Sequence, residues 1–223
     1  MHTRIRLGLA ALTTALIFAA AVSTAAARRL QLSNQNITAK WTALTFSSEA
    51  GGEGIEIACP LTLEGSFHSR TISKVSGQLI GYITRANLTS ASCIFRGGAT
   101  HMQILNGTEG TTTSLPWHIQ YNSFAGTLPR IRGVRLALIG FAFLTRAILG
   151  VTCLYKSTQR EPLFGIVEVN EATGAVTGLR ADETGTIPLF AGGFGCPGSE
   201  FFAGRAGVTQ TGTEAAITIR LVQ

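Results

Sequence analysis

Residues 115–143 read LPWHIQYNSFAGTLPRIRGVRLALIGFAF. From Leu115 to Tyr121 apolar and polar residues alternate, which is the pattern of a strand with one buried and one solvated face. From Val134 to Phe143 apolar residues occupy both faces, and this pattern predicts a strand in the middle of a sheet. The residues between the two runs, Ala125–Pro129, favour a turn. The stretch therefore predicts a hairpin at the centre of an all-β fold.

Short strands of the same kind continue on both sides of this hairpin. About a dozen are separated by Gly-rich or polar turns, and no segment after residue 27 shows a helical apolar period. We predict an antiparallel sandwich or barrel, formed by residues 28–223 as a single β domain. The pattern also predicts a loop over Ser47–Gly54 and a final hairpin, in which Gly204–Gln210 and Ala215–Val222 join at residues 211–212.

The first 27 residues have the three parts of a secretory signal peptide. Arg4 and Arg6 precede an uncharged run, and Ala25–Ala27 offers small residues for cleavage at Ala25 or Ala27. The run is Ala-rich and shorter than the ~20 residues of a spanning helix, so a membrane anchor is disfavoured. Cleavage removes two arginines and no acidic residue, which lowers the formal net charge from +6 to +4. We expect a bacterial protein that is secreted or at the cell surface, without a transmembrane helix in the mature chain.

Four cysteines follow the signal peptide, namely Cys59, Cys93, Cys153 and Cys196. In an oxidising compartment they predict two disulfides. Three pairings are possible, and we favour Cys59–Cys93 with Cys153–Cys196 because each bridge then closes a loop of similar length within its own half of the chain. No two cysteines have C-x-x-C spacing and no His is close to one, so a zinc site is disfavoured. Alternation around Cys59 directs its side chain inward.

Residues able to carry catalysis are few. Asp182 is the one Asp after the signal peptide, it lies in a polar turn, and there is no G-x-S-x-G nucleophile motif. The histidines His68, His101 and His118 are not spaced as pairs of ligands on one face. The best polar-site candidate is Glu64 with His68 on the solvated face of the strand after Cys59, with His118 nearby. We predict no metal and no cofactor.

Four arginines flank the second strand of the central hairpin, namely Arg130, Arg132, Arg135 and Arg146. They could form a basic patch for a polyanion. Charged residues at strand ends more often prevent unwanted strand pairing, so we predict no nucleic-acid partner. Trp117 and Tyr121 could stack on a sugar or a base, but their alternation with apolar neighbours favours core packing.

Four stretches have a distinctive amino-acid sequence: CPLTLEGSFHSRTISK (59–74), LIGYITRA (79–86), LPWHIQYNSFAGTLP (115–129) and TCLY (152–155). Together they resemble a set of secreted actinobacterial proteins of unknown function, over most of the mature chain. The resemblance implies an exported, β-rich domain with disulfides. It implies no activity, substrate or catalytic residue.

The sequence thus favours a secreted, non-enzymatic β domain that binds a cell-surface or extracellular partner, such as a cell-wall polymer, another surface polymer or a protein. The alternative is an extracellular hydrolase whose site the sequence does not reveal, with Glu64 and His68 as its candidates. An outer-membrane barrel would need strands of ~9–11 residues with a lipid-facing apolar band, and most of the predicted strands are shorter.

Overall fold

The computed structural model describes residues 29–50, 53–107, 113–127, 130–147, 150–182 and 185–222. The predicted signal peptide, residues 1–27, lies outside these ranges. The described residues form seventeen β-strands and one short 3-10 turn, and they contain no helix with the length and apolar character needed to cross a membrane. The predicted all-β class is confirmed, and of the two expected architectures the chain adopts the barrel.

The strands, in chain order, are β1 (Arg29–Leu32), β2 (Asn36–Ala50), β3 (Glu53–Phe67), β4 (Thr71–Ile72), β5 (Leu79–Leu88), β6 (Ile94–Arg96), β7 (Ala99–Ile104), β8 (Trp117–Ala125), β9 (Gly133–Ile139), β10 (Ala142–Ala147), β11 (Thr152–Lys156), β12 (Leu163–Val169), β13 (Val176–Ala181), β14 (Thr186–Gly192), β15 (Ser199–Ala203), β16 (Arg205–Gln210) and β17 (Ile219–Val222).

Eight strands close into an antiparallel barrel. Their order is β2-β3-β5-β8-β9-β12-β13-β16, and the barrel closes because β2 pairs with β3 on one edge and with β16 on the other. The hairpin of β8 and β9, predicted from the central stretch, lies in this wall. Trp117 and Tyr121 are buried as expected.

The second half of the β2–β3 hairpin extends beyond the barrel. β2 and β3 have fifteen residues each, and their far ends pair with β15 and β6 instead of with barrel strands. From β15 the sheet continues through β14, β11 and β10 to β7. We call the strands β6, β7, β10, β11, β14 and β15, with the far ends of β2 and β3, the extension.

A separate three-stranded sheet covers part of the apolar interior. β1 pairs with β17 on one side and with β4 on the other, so strands near the two ends of the described chain are neighbours. Leu30, Ile72 and Ile219 of these strands are buried. We call this sheet the cap.

Six aromatic side chains form one cluster between the barrel and the extension: Phe46, Trp117, Phe141, Phe143, Tyr155 and Phe202. Neighbouring ring centroids lie between 4.8 Å and 6.0 Å apart. Most pairs are tilted or edge-to-face, which is the arrangement that ring quadrupoles favour. Through this cluster the apolar interiors of the barrel and the extension are continuous.

The last part of the central stretch is two strands and not one. β9 ends at Ile139 and β10 begins at Ala142, because the chain turns at Gly140, whose φ of 91° favours glycine. β9 lies in the barrel between β8 and β12, whereas β10 lies in the extension between β7 and β11. Both strands are central, as predicted, but in different parts of the sheet.

Two predicted connections are also wrong. The loop over Ser47–Gly54 is largely strand, because the ladder between β2 and β3 continues to the pair of Ala50 with Glu53. The final hairpin is limited to its turn, where Gln210 N donates to Ala215 O and one bridge joins Thr209 to Ala216, because β17 pairs with β1 instead. β13 pairs with only Arg205 and Ala206 of β16. Beyond them Ala216 bridges Thr209 and Thr218 bridges Ala175, so the chain runs past the end of β16 and the start of β13 before β17 pairs with β1.

The structure contains the two favoured disulfides, Cys59–Cys93 and Cys153–Cys196. Cys59 is fully buried on β3, in agreement with the inward orientation expected from the sequence. Its bridge fastens the segment before β6 to the β2–β3 hairpin. The other bridge fastens the Gly-rich loop after β14 to β11.

Candidate functional site

The barrel contains an apolar cavity of about 110 Å³. Alternation directs every second residue of each barrel strand toward the axis, and in β2 these residues are Ile37, Ala39 and Trp41. The wall also contains the small residues Gly165 and Ala181. Large side chains can fill an eight-stranded barrel completely, whereas small ones leave room for a ligand. The cavity therefore follows from the small residues at wall positions.

Apolar side chains border the cavity on two further sides. Leu30, Ile72 and Ile219 of the cap line it. Phe141 and Phe202 of the aromatic cluster line it as well. A cavity with such a lining offers dispersion contacts and almost no polar partners.

Trp41, a residue of the cavity wall, carries a buried polar atom. Its side chain is among those that line the cavity, and the residue is only 3% exposed. Its indole Nε1 has no hydrogen-bond partner among the described residues. The indole of Trp117, by contrast, donates a hydrogen bond from Nε1 to Ser114 Oγ at 2.8 Å. A buried donor without a partner is uncommon in folded proteins, because its desolvation is not compensated.

Arg180 also borders the cavity, but its charge is compensated by an acidic neighbour. Its Nε lies 3.7 Å from Glu168 Oε1, and Arg205 Nε lies 2.7 Å from Glu168 Oε2. These three side chains are partly exposed, so the ion pairs belong to the outer surface of the barrel. The charged groups of these three side chains therefore lie on the outer surface of the barrel and not on the inner face of its wall.

The polar residues predicted as a site lie on the outside of the barrel. Glu64 of β3 accepts a hydrogen bond from Arg85 Nη1 at 2.6 Å. The His68 and His118 rings contact the Tyr82 ring, with centroid distances of 4.8 Å and 5.2 Å. The structure thus brings the two histidines together through Tyr82, while the carboxylate of Glu64 pairs with Arg85. Catalysis by Glu64 and His68 stays a prediction.

His68 also borders an open polar cleft of about 370 Å³ next to the cap. Arg29, Ser69 and Gln78 line the same cleft. Ile72 borders this cleft and the apolar cavity, so the two spaces lie on either side of one cap residue. Four of the nine residues that line the cleft are exposed, and three more are partly exposed.

The arginines that suggested a basic patch are partly engaged with acidic groups. Arg135 donates from Nη2 to Asp182 Oδ2 at 2.8 Å and lies over the Phe164 ring, 3.9 Å from its centroid. Arg132 lies 3.9 Å from a carboxylate oxygen of Glu171. Within the described ranges, no three His, Cys, Asp or Glu side chains converge in a way that would hold a metal ion.

The extension contains a buried acidic residue that sequence reasoning missed. Glu200 of β15 is 1% exposed, and its Oε1 accepts a hydrogen bond from Ser48 Oγ at 3.0 Å. Its Oε2 has no partner among the described residues. Burial raises the pKa of Glu200 to about 7, against the opposing effect of the nearby Ser48 and Tyr155 hydroxyls. Burial and the nearby carboxyl raise the pKa of the Tyr155 hydroxyl.

The sequence contains a weak signal for the cavity. Ile37, Ala39 and Trp41 alternate with polar residues, which predicts an inward face, and the small residue between two large ones predicts an incompletely filled interior. No signal in the sequence shows that the Trp41 indole lacks a partner, because that depends on strands distant in the chain. Comparisons with protein-family models, with curated proteins and with solved structures find no match to this chain.

Proposed function

We propose that this chain is an exported, non-enzymatic binding domain that holds a small apolar molecule in the barrel cavity. The observation that carries the proposal is the apolar cavity of about 110 Å³. An engineered protein cavity of about 150 Å³ with a comparable lining stays dry and binds benzene. A molecule of similar size, or the end of a longer apolar chain, therefore suits this cavity.

Two features support an extracellular setting for this binding. The two disulfides are compatible with an oxidising compartment, and the first 27 residues read as a signal peptide. The proposal is narrower than the expectation from the sequence, which named a wall polymer, a surface polymer or a protein as partner. A small apolar ligand is favoured because it would fill the apolar space inside the barrel.

The test is a titration of the purified protein with methylenecyclopentane, a neutral hydrocarbon with six carbon atoms, followed by NMR. We expect saturable binding. The Ala39→Ile variant should lose it, because the larger side chain occupies the cavity from β2. The matched control is Ala191→Ile on an exposed position of β14, which should bind like the wild type.

Val208→Phe provides a second cavity-filling variant from a different strand, and far-UV circular dichroism checks that each variant is folded. Absence of saturable binding to the wild type would remove the proposal. Equal binding by the wild type and by a folded Ala39→Ile would place the hydrocarbon outside the barrel and would also contradict it.

A further inference from the structure

We propose that the outer face of the extension docks this protein onto an anionic lipid surface, with Phe190 and Phe194 entering the headgroup region. The outer face is formed by the outward-pointing residues of β7, β10, β11, β14 and β15 and by the loop over residues 193–198. The inference concerns a different part of the molecule from the barrel cavity, and it goes beyond the proposed function.

Exposed phenylalanines are concentrated in one part of the outer face. Three of the described phenylalanines are exposed, and all three lie in β14, in β15 or in the loop between them. Phe194 in the loop is fully exposed, while Phe190 and Phe201 are 59% and 48% exposed. Single exposed apolar residues are common, but several in one region mark a site of interaction. None of the three lines the barrel cavity or the polar cleft, so they suit insertion into an apolar phase better than enclosure of a small ligand.

A disulfide holds the loop that carries Phe194. Cys196 lies two residues after Phe194, and it is bridged to Cys153 of β11, a strand between β10 and β14. Cys196 N also donates to Gly193 O at 3.2 Å, which closes a turn around Phe194. Because the loop is tied to the sheet at this point, it has little conformational freedom left to lose when Phe194 binds.

The charged side chains of the outer face are basic. Lys156 of β11 places its Nζ 5.2 Å from the centroid of the Phe190 ring. Arg146 of β10 is exposed and pairs with Thr152 at the end of β11 that carries the disulfide. The five strands of the face contain one acidic residue, Glu200, and its side chain is buried. The face thus combines apolar groups with positive charge, which complements a negatively charged surface.

A bilayer that contains anionic lipids offers both interactions in one place. Aromatic side chains enter the boundary between headgroups and acyl chains, and Lys and Arg are attracted to the anionic headgroups. A soluble acidic polymer would pair with Lys156 and Arg146 but would give the phenylalanines no apolar contact. The combination of exposed phenylalanines with cations therefore favours a lipid surface.

The first experiment measures the retention of residues 28–223, which contain all of the described strands, on large unilamellar vesicles. Vesicles of phosphatidylglycerol and phosphatidylcholine in equal amounts should retain the protein, and vesicles of phosphatidylcholine alone should retain it about tenfold less. Phe194→Ser should weaken binding to the anionic vesicles about tenfold, because one apolar side chain no longer leaves water. The matched control is Val75→Ser, at an exposed apolar position before β5, which should bind like the wild type.

A second pair of variants tests the charge. Lys156→Gln should weaken binding to the anionic vesicles about fivefold, as expected for the loss of one basic residue at an anionic surface. Lys40→Gln, at an exposed position of β2 in the barrel, should have a much smaller effect. Raising the salt concentration should weaken the binding of the wild type, because salt screens exposed charges. Far-UV circular dichroism checks that each variant is folded.

The fluorescence of Phe194→Trp shows directly whether the loop enters the lipid. Trp41 and Trp117 are buried, so a change in emission on addition of vesicles reports the introduced side chain. The emission should move to shorter wavelength on anionic vesicles and should be quenched by lipids with brominated acyl chains. Val75→Trp should show neither change.

Three outcomes would overturn the inference and leave the proposed function unaffected. The first is no retention of the wild type on the anionic vesicles. The second is equal retention of the wild type and a folded Phe194→Ser. The third is retention by soluble polyphosphate without retention by vesicles, which would assign Lys156 and Arg146 to an anionic polymer. Loss of hydrocarbon binding in the barrel would remove the proposed function and leave this inference in place.

Discussion

Glu200 is the acidic side chain whose burial has the clearest consequence for stability. Its pKa is about 7 in the folded protein, above its ordinary value of 4.5. The folded protein therefore holds the proton of this carboxyl more tightly than the unfolded chain does. The stability from this group is fully present below pH 4.5 and is lost as the pH rises through 7.

We predict that the free energy of unfolding falls between pH 5 and pH 8 by about 2–3 kcal/mol because of Glu200. In Glu200→Gln, which cannot ionise, this part of the pH dependence should disappear. Urea unfolding of both proteins at the two pH values measures it, and Glu161→Gln on the exposed connection before β12 is the control. Equal pH dependence in wild type and Glu200→Gln would show that the carboxyl is ionised or solvated in the fold.

Gly65 allows close approach of two barrel strands. It lies at a β-bulge where β3 pairs with β5, and a Cβ added there would lie 2.2 Å from the backbone oxygen of Tyr82. Gly207 of β16 is its opposite, because a Cβ added there would meet nothing within 4 Å. The two glycines therefore have different roles although both lie in barrel strands.

We predict that Gly65→Ala lowers the free energy of unfolding by about 3 kcal/mol or more, because the strands must separate to admit the methyl group. Gly207→Ala should leave it unchanged or raise it by up to about 1 kcal/mol, since alanine restricts the unfolded chain. Urea denaturation compares the two variants. A similar effect of both substitutions would contradict a close approach at Gly65.

At the scale of elements, local pattern predicted the strands well and their partners less well. The hairpin of β8 and β9 could be predicted because a strand alternation and a turn lie next to each other in the sequence. The partner of β17 could not, because it is β1, which lies at the other end of the described chain. Glu200 was not predicted for the same kind of reason, since Ser48 and Tyr155 reach it from distant parts of the chain.

The lengths of β2 and β3 were underestimated for a different reason. The glycines near the end of the hairpin predicted a long loop, but the ladder continues up to Ala50 and Glu53. Glycine favours turns without requiring them, and pairing along a long hairpin outweighs its local preference. As a result the sequence alone did not reveal that one hairpin serves two parts of the fold.

At the scale of the whole molecule, this shared hairpin connects the barrel to the extension. β2 and β3 pair with barrel strands at one end and with extension strands at the other, and the aromatic cluster fills the space between. If β2 and β3 detach when one part unfolds, the apolar interior of the other part becomes exposed to water. The two parts should therefore unfold together.

We predict a single unfolding transition for the two parts. Hydrogen exchange with mass spectrometry, measured across a urea series, follows peptides of β12 and β13 in the barrel and of β11 and β14 in the extension. All should lose protection at the same urea concentration. Two separate midpoints would show that the shared hairpin does not couple the parts.

The pairing of β1 with β17 in the cap has a consequence for the order of synthesis. A ribosome delivers Arg29–Leu32 long before Ile219–Val222, so β1 lacks this partner while the strands between them are made. A chain without Ile219–Val222 would therefore expose part of its apolar interior to chaperones and proteases. The cap sheet can thus form only after the strands of the barrel have been synthesised.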